Sequence, residues 1–347
     1  MENIISIEIR SVFMWRRCLY LKVYLPCIFI AAVAMITSCS PPLKSTNLYS
    51  ANIGTLIFVP AGKVPSIRID YDGNSADFCT MPAIHMSSND ITRQEWVNVT
   101  GLPDPSDSSV SSGMNDPVQN VNWYMAVYFC NKLSIKEGLT PVYSIIVNGA
   151  ADTNPDDWLK ILGGTFPNNF PISGNNATWD AVQANWSADG YRLPTEMEWL
   201  WAAMGATRDS RRADFSATGV NTKGYNKGYA GSQEPGTACS NISLYAWINK
   251  STGTHAVGLL KPNELGLCDM SGNVYQWCWE WWVVVYPDGM ITDPVYTFSL
   301  SSSTGYRVIR GGAWNSVTSC GALDDSSGGG DGPCSGGNSI GFRVVRP

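Results

Sequence analysis

Cysteine and histidine are the residue types in this sequence with the greatest capacity for chemistry. The 347-residue chain contains ten cysteines and two histidines. Neither His85 nor His255 has a Cys, His, Asp or Glu two to four residues away, and no two cysteines show C-x-x-C spacing. The carboxylates are scattered singly along the chain. These residues predict no metal centre and no catalytic group, so the chain is not predicted to be an enzyme.

Cys39 is the cysteine whose surroundings indicate a specific modification. Three basic residues, Arg16, Arg17 and Lys22, precede an apolar run at 23–36, and Thr-Ser-Cys follows. That order is typical of a secretory signal that ends at a lipoprotein cysteine. The fourteen residues of the run are too few to span a bilayer, for which a helix needs roughly 20.

The N-terminal pattern predicts how the chain is processed and where it resides. Residues 1–38 form a cleaved signal peptide of the lipoprotein type, Cys39 carries the lipid, and residues 39–54 form a tether. The protein is then exported and held to a membrane by its lipid anchor only, at the outer membrane or the cell surface. Secretion without a lipid stays open as the alternative.

The charge and the remaining cysteines limit the partners and the covalent links. Removing residues 1–38 takes away four basic and two acidic side chains, so the net charge changes from −6 to −8. An acidic protein repels phosphates, and no nucleic-acid partner is predicted. Seven cysteines follow Cys39, which allows at most three disulfides in an oxidising compartment. Their pairing is open, and Cys320 and Cys334 are either bridged or free. The seven are Cys79, Cys130, Cys239, Cys268, Cys278, Cys320 and Cys334.

Three helix starts are indicated by capping signals. Thr92 with Glu95 and Thr195 with Glu198 each have the spacing of a capping box. Asn122 precedes an amphipathic run and is placed to cap a helix there. Long polar stretches rich in Asn, Asp, Gly and Pro lie between these helices, which predicts much irregular structure.

A tryptophan-rich run at 277–282 predicts a strand. Strand alternation places Trp277, Trp279 and Trp281 on one face, and we expect this aromatic face to lie in the core. Short β-like runs and glycines follow, without an internal repeat. Residues 55–347 are therefore predicted to form a single α+β domain.

Six motifs spread over residues 55–347 carry a family resemblance. In chain order they are ITRQEW, PVQNVNWYMAVYFCNKLS, GYRLPTEMEWLWAA, GLCDMSGNVYQW, RVIRGGAWNS and GFRVV. Together they resemble the domain of formylglycine-generating enzymes. The resemblance implies a C-type-lectin-like α+β fold with few helices, short strands and much ordered loop.

The chain departs from this family at the positions that carry its chemistry. Enzymes of the family oxidise a sulfatase cysteine by means of two cysteines that follow a Gly-Gly pair. The matching positions here are Ser316 and Gly321, and Cys320 is one place away. Without the first thiolate, copper binding and redox chemistry are not expected.

The calcium-binding segment of the family is also changed. It supplies an Asn and a Glu, whereas this chain has Asn273 and Gln276 at those positions. Loss of a carboxylate charge weakens a calcium site. No cofactor is therefore predicted, and Asn273 and Gln276 are only weak candidates for calcium.

The end of the chain resembles a non-enzymatic branch with the same fold. An opening RGGAW and an ending IGFRVVRP enclose residues 315–339, of which 13 of 25 are Gly or Ser. This arrangement resembles the variable proteins of diversity-generating retroelements, which include treponemal variable lipoproteins. In such proteins, mutagenic reverse transcription rewrites adenine positions in the last codons, and the rewritten side chains form a ligand-binding face.

The resemblance predicts a non-catalytic surface lipoprotein that binds an unknown protein or glycan ligand through a variable region at 314–342. Small polar residues in such a region offer adaptable hydrogen bonding. The alternatives are an oxidase of the formylglycine-generating type and an invariant structural lipoprotein. The candidate ligand-binding residues are Trp314, Ser316, Thr318, Ser319, Gly321, Leu323, Asp325, Ser326, Asp331, Ser335 and Gly337.

Overall fold

The described part of the chain contains short strands in four small sheets, five α-helices and much loop. The computed structural model describes residues 46–65, 78–208, 227–232, 240–250, 252–282, 305–317, 323 and 329–347. The predicted signal peptide, the lipidation site Cys39 and the tether up to residue 45 lie outside these ranges. Within the ranges, no helix has the length and apolar character needed to cross a membrane.

The strands have two to seven residues each. The first, Leu48–Ser50, pairs antiparallel with the next strand and lies within the segment predicted as tether. The strands are β1 Leu48–Ser50, β2 Gly54–Val59, β3 Gly62–Pro65, β4 Phe78–Met81, β5 Ile84–Ser87, β6 Tyr143–Val147, β7 Ala150–Asp152, β8 Gln183–Ala184, β9 Tyr275–Trp281, β10 Arg307–Arg310, β11 Gly330–Asp331, β12 Ile340–Gly341 and β13 Val345–Arg346. The helices are α1 Arg93–Thr100, α2 Trp123–Lys136, α3 Pro155–Leu162, α4 Ala177–Asp180 and α5 Glu196–Ala203.

The predicted helix caps are confirmed at α1, α2 and α5. Thr92 and Glu95 form a reciprocal capping box at α1, and Thr195 and Glu198 form another at α5. The Asn122 side chain accepts a hydrogen bond from a first-turn amide of α2. These local bonds satisfy amides that a helix start leaves unpaired.

Two four-stranded sheets share the C-terminal residues. One sheet has the order β1-β2-β5-β13, and the other has the order β11-β10-β9-β12. Strand β12 runs parallel to β9, while β13 runs antiparallel to β5. The last eight residues therefore tie the two sheets together.

Aromatic side chains fill the core on both sides of β9. Trp277 is fully buried, and Trp279 and Trp281 are 7% exposed, so the predicted strand and its buried face are confirmed. Helix α2 packs on this face, and helix α5 packs with Cys278 on the opposite face. The α+β class is confirmed, and this core holds β9 and β10 in the place from which the C-terminal segment emerges.

Candidate functional site

The candidate segment begins at the end of β10, where two glycines turn the chain. Gly311 has φ of +97° and Gly312 has φ of +71°, a region that favours glycine. A Cβ on Gly311 would lie 3.1 Å from the carbonyl oxygen of Met270. The Gly311 carbonyl accepts a hydrogen bond from the Gly272 amide at 2.8 Å. The turn therefore fixes the position of the residues that follow it.

Main-chain hydrogen bonds hold the first residues of the segment. The Trp314 amide donates to the Asn273 carbonyl at 2.9 Å, and the Lys250 amide donates to the Trp314 carbonyl at 2.6 Å. The Asn249 amide donates to the Ser316 carbonyl at 3.0 Å. These bonds fix the path of the backbone and do not depend on the side chains that it carries.

Main-chain hydrogen bonds also hold the last part of the segment, where the chain returns to the core. Strand β11 pairs antiparallel with β10. The Trp123 amide donates to the Pro333 carbonyl at 3.1 Å, and the Asn120 amide donates to the Gly337 carbonyl at 2.9 Å. Main-chain hydrogen bonds therefore hold the segment at both ends.

Part of its glycine content is a packing requirement. A Cβ on Gly329 would lie 1.9 Å from the indole nitrogen of Trp282, and one on Gly336 would lie 2.8 Å from the Asn120 carbonyl oxygen. A Cβ on Gly337 would make only ordinary contacts at 3.6 Å. Gly329 and Gly336 are thus sterically restricted, whereas position 337 has room for a side chain.

Four of the predicted binding residues lie at partly exposed positions. These are Trp314, Asp331, Ser335 and Gly337. The Trp314 indole donates a hydrogen bond to the Asn338 carbonyl at 3.1 Å, which joins the beginning of the segment to its return. The structure therefore brings the two ends of the predicted face together.

Two predicted binding residues are buried, which corrects the sequence-based expectation. Leu323 is 2% exposed and packs in the core cluster around α5, because an apolar side chain of this size gains by leaving water. Ser316 is 9% exposed. Its hydroxyl accepts a hydrogen bond from the Ala313 amide and donates one to the Tyr275 hydroxyl, both at 3.0 Å. Neither side chain is available to a ligand in this structure.

The remaining predicted residues lie outside the described ranges. They are Thr318, Ser319, Gly321, Asp325 and Ser326.

The two weak calcium candidates are engaged by the protein itself. Asn273 donates to the His255 carbonyl at 3.0 Å and accepts from the His255 amide at 3.1 Å. The Gln276 amide oxygen accepts from Trp199 at 2.6 Å and from Arg343 at 2.7 Å. Across the described ranges, no three His, Cys, Asp or Glu side chains converge as a metal site. The side chains of Asn273 and Gln276 therefore make hydrogen bonds within the protein in this structure.

Two described cysteines, Cys130 and Cys268, have raised pKa values and therefore stay protonated as thiols. Burial raises the pKa of Cys130 far above its ordinary value and raises the pKa of Cys268 to about 11. Cys278 is buried, and Cys334 is a free, half-buried thiol. Its possible partner Cys320 lies outside the described residues. Ser316, at the position where the resemblance implies the first catalytic cysteine, is buried and its hydroxyl is already hydrogen-bonded.

A stacked aromatic pair beside the segment is not indicated by the sequence pattern. The rings of Trp247 and His255 lie 3.9 Å apart and nearly parallel, and the Lys250 ammonium lies 5.8 Å from the Trp247 ring centroid. Lys250 is also the residue whose amide binds Trp314. The pair joins loops eight residues apart in sequence, and no periodicity in the chain indicates such a contact.

The chain matches known proteins over nearly all of its described length. The sulfatase-modifying factor enzyme 1-like domain matches residues 46–347. The chaperone protein LppX of Paenibacillus barcinonensis is 29% identical over 287 residues, which cover 83% of this chain and 86% of that protein. A formylglycine-generating enzyme of Thermomonospora curvata is 32% identical over 119 residues, or 33% of this chain and 34% of the enzyme.

A solved structure gives a broad three-dimensional match. Treponema denticola variable protein 1 superposes with a TM-score of 0.68 and 28% sequence identity. The match covers 89% of this chain and 100% of that chain. The chain thus shares its fold with a variable protein.

Proposed function

The chain belongs to the family of the sulfatase-modifying factor enzyme 1-like domain, and we propose that it is a non-catalytic binding protein of that family. Its C-terminal face, carried by residues 314–342, would bind a protein or glycan ligand. Codons in that region would be diversified by a retroelement, so that sister copies of the protein recognise different ligands.

The observation that carries this proposal is the likeness to Treponema denticola variable protein 1 over that whole chain. The geometry of the segment supports it. Main-chain hydrogen bonds hold the segment at Trp314, Pro333 and Gly337, so exposed side chains between these points can change while the scaffold stays the same. Binding loops on a rigid scaffold are a common use of such an arrangement.

The rest of the proposal concerns export. Residues 1–38 would be removed as a signal peptide, and Cys39 would carry the lipid that holds the domain at the outer membrane or cell surface. The basic residues, apolar run and Thr-Ser-Cys of the N-terminus support it. A Cys39→Ala protein should remain unlabelled when cells are fed a radioactive fatty acid, whereas the unaltered protein should be labelled.

The decisive test is the DNA that flanks the gene. A near-copy of the codons for residues 314–342 that differs only at adenines, beside a reverse transcriptase gene, would support the diversified binder. If neither is present, the proposal of diversification is contradicted, and a lipoprotein of fixed sequence becomes the better explanation of the same fold.

An oxidase remains the second candidate because a formylglycine-generating enzyme shares 32% identity over a third of the chain. Its prediction is copper-dependent consumption of oxygen in the presence of a cysteine-containing sulfatase peptide. Ser316→Cys is the informative variant, since it restores a thiol at the first catalytic position. Turnover by the unaltered protein would contradict the non-catalytic proposal.

A further inference from the structure

Two loops next to the candidate segment are joined to each other and to the core. These paired loops are residues 244–250 and 255–261. The ring of Trp247 in the first loop stacks on that of His255 in the second at 3.9 Å. The Asn273 side chain donates to the His255 carbonyl at 3.0 Å, and the Asn273 amide donates to the Trp247 carbonyl at 2.7 Å. One residue close to the start of β9 therefore binds both loops.

The first paired loop runs along the candidate segment. The Asn249 amide donates to the Ser316 carbonyl, and the Lys250 amide donates to the Trp314 carbonyl. Val317, the next residue of the segment, is 60% exposed. The surface of the loop is therefore continuous with the surface of the segment.

Two lysines of the paired loops have no polar partner for their ammonium groups. The other lysine side chains that the structure describes bind a carboxylate or a main-chain carbonyl, and they are Lys132, Lys136, Lys160 and Lys227. Lys250 and Lys261 have no such partner among the described residues. Their ammonium groups lie 5.8 Å from the ring centroid of Trp247 and 5.9 Å from that of Tyr245. In a chain with a net charge of −6, these two cations are free to pair with an anionic partner.

The same loops expose aliphatic side chains. Leu244 is 44% exposed and Leu259 is 66% exposed. The Lys261 amide donates to the Leu244 carbonyl at 2.9 Å, so residues 244 and 259–261 are neighbours on the surface. Aliphatic surface of this kind gains free energy when a partner removes it from water.

The aromatic rings of the paired loops already have ring partners. Trp247 stacks on His255, and Tyr245 contacts Tyr229 with 5.6 Å between the ring centroids. Because these rings are engaged within the protein, they are poor platforms for stacking on a sugar. Unpaired ammonium groups beside aliphatic side chains instead match a protein surface that carries Asp or Glu next to apolar residues.

We propose that the paired loops are a fixed docking surface for an acidic, partly apolar segment of a protein ligand. Carboxylates of the ligand would pair with Lys250 and Lys261. Its apolar side chains would cover Leu244 and Leu259. Complementary charge of this kind speeds association and selects against wrong partners. As a role in ligand recognition this inference rests on the proposed function, and the segment at 314–342 would add the contacts that differ between copies.

The experiment measures the fluorescence anisotropy of three labelled synthetic peptides of equal length as the purified protein is added. One peptide alternates Glu and Leu, the second alternates Lys and Leu, and the third alternates Glu and Ser. We expect the Glu-Leu peptide to bind at least about tenfold more tightly than the other two, because it alone supplies both the charge and the apolar contact. Equal binding of the three peptides, or no binding of any, would overturn the proposal.

The double variant Lys250→Gln with Lys261→Gln removes both charges at surface positions. It should weaken binding of the Glu-Leu peptide at least about threefold, since each exposed ion pair contributes modestly. Lys132→Gln with Lys160→Gln is the matched control, because it changes the net charge equally at lysines that are already ion-paired, and it should leave binding unchanged. Equal weakening by the two double variants would show an effect of overall charge and would overturn the docking surface.

Leu259→Ser tests the apolar part of the surface. Because this side chain is 66% exposed, the change should leave the melting temperature unaltered and still weaken binding of the Glu-Leu peptide. Unchanged binding would remove the apolar contact and overturn the proposal as stated.

Two other anionic partners are tested with the same lysine variants, namely phosphatidylglycerol vesicles and hyaluronate. Binding of either that depends on Lys250 and Lys261, without binding of the Glu-Leu peptide, would overturn a protein partner. The result is separable from the proposed function. A missing template repeat would remove diversification and leave the docking surface intact, whereas absent peptide binding would remove the docking surface and leave diversification open.

Discussion

Asp269 is a buried carboxyl group whose protonation is coupled to folding. One of its oxygens accepts a hydrogen bond from the Gly258 amide at 2.7 Å, and burial raises its pKa above the ordinary value. The folded protein therefore holds this proton more tightly than the unfolded chain does. As a consequence, the free energy of unfolding falls as pH rises from about 3.9, the pKa of an unfolded aspartate, through the raised folded value.

We predict that Asp269→Asn makes the protein less sensitive to pH across that window. Asparagine keeps an oxygen for the Gly258 amide but does not ionise. Relative to the unaltered protein, the variant should gain on the order of 1 kcal/mol at pH 8 and less at pH 4. Urea unfolding at both pH values measures this. Asp107→Asn is the control, because the pKa of Asp107 is lowered by hydrogen bonds from Ser109. An equal loss of stability at both pH values in Asp269→Asn would contradict the prediction.

Gln276 stands where the resemblance implies a calcium-binding glutamate, and its side chain makes internal hydrogen bonds instead. Its amide accepts from Trp199 and Arg343 and donates to the Asp269 carbonyl at 2.7 Å. Gln276→Glu loses that donor and places a carboxylate oxygen against a carbonyl, so we expect a loss of about 1–3 kcal/mol of unfolding free energy. Urea unfolding with calcium and with a chelator checks this. A variant that regains stability only with calcium would instead show that a metal site was lost by this one substitution.

At the scale of elements, the glycines in strand β12 and just before it differ in whether a side chain fits. A Cβ on Gly341 would lie 2.5 Å from the Val118 carbonyl oxygen and 2.9 Å from a Val274 methyl carbon. We therefore expect Gly341→Ala to lower unfolding free energy by at least about 2 kcal/mol. Gly337→Ala is the matched control, since its Cβ would meet Ile340 at 3.6 Å, and its melting temperature should stay within a few degrees. Equal effects of the two changes would contradict this division.

The elements that the sequence predicts well are those whose signals are local. The Thr92–Glu95 and Thr195–Glu198 boxes depend on residues three apart, and both are present. The strand at 277–281 is likewise marked by alternation. Burial of Leu323 is different, because its core cluster is assembled from α5, β5 and other distant segments. The stack of Trp247 on His255 also depends on tertiary placement, which no local pattern encodes.

At the scale of the whole molecule, the C-terminal residues join two sheets at the end of the segment that is proposed to vary and just after it. Strand β12 pairs with β9 in one sheet, and β13 pairs with β5 in the other. The fold is therefore completed by the last residues of the segment, in β12, and by the residues that follow it. A protein built this way tolerates change within the segment only where its side chains contribute little to the core.

The last prediction follows from that arrangement and separates face from core within a single segment. The combined variant Asn315→Ala, Asp331→Ala and Ser335→Ala changes side chains that are at least partly exposed, and each change should shift unfolding free energy by less than about 0.5 kcal/mol. Leu323→Ala removes a buried side chain and should cost about 2–5 kcal/mol. Thermal and urea unfolding of both proteins compares them. A large loss from the triple variant would mean that the face is part of the core and would remove the physical basis for diversifying it.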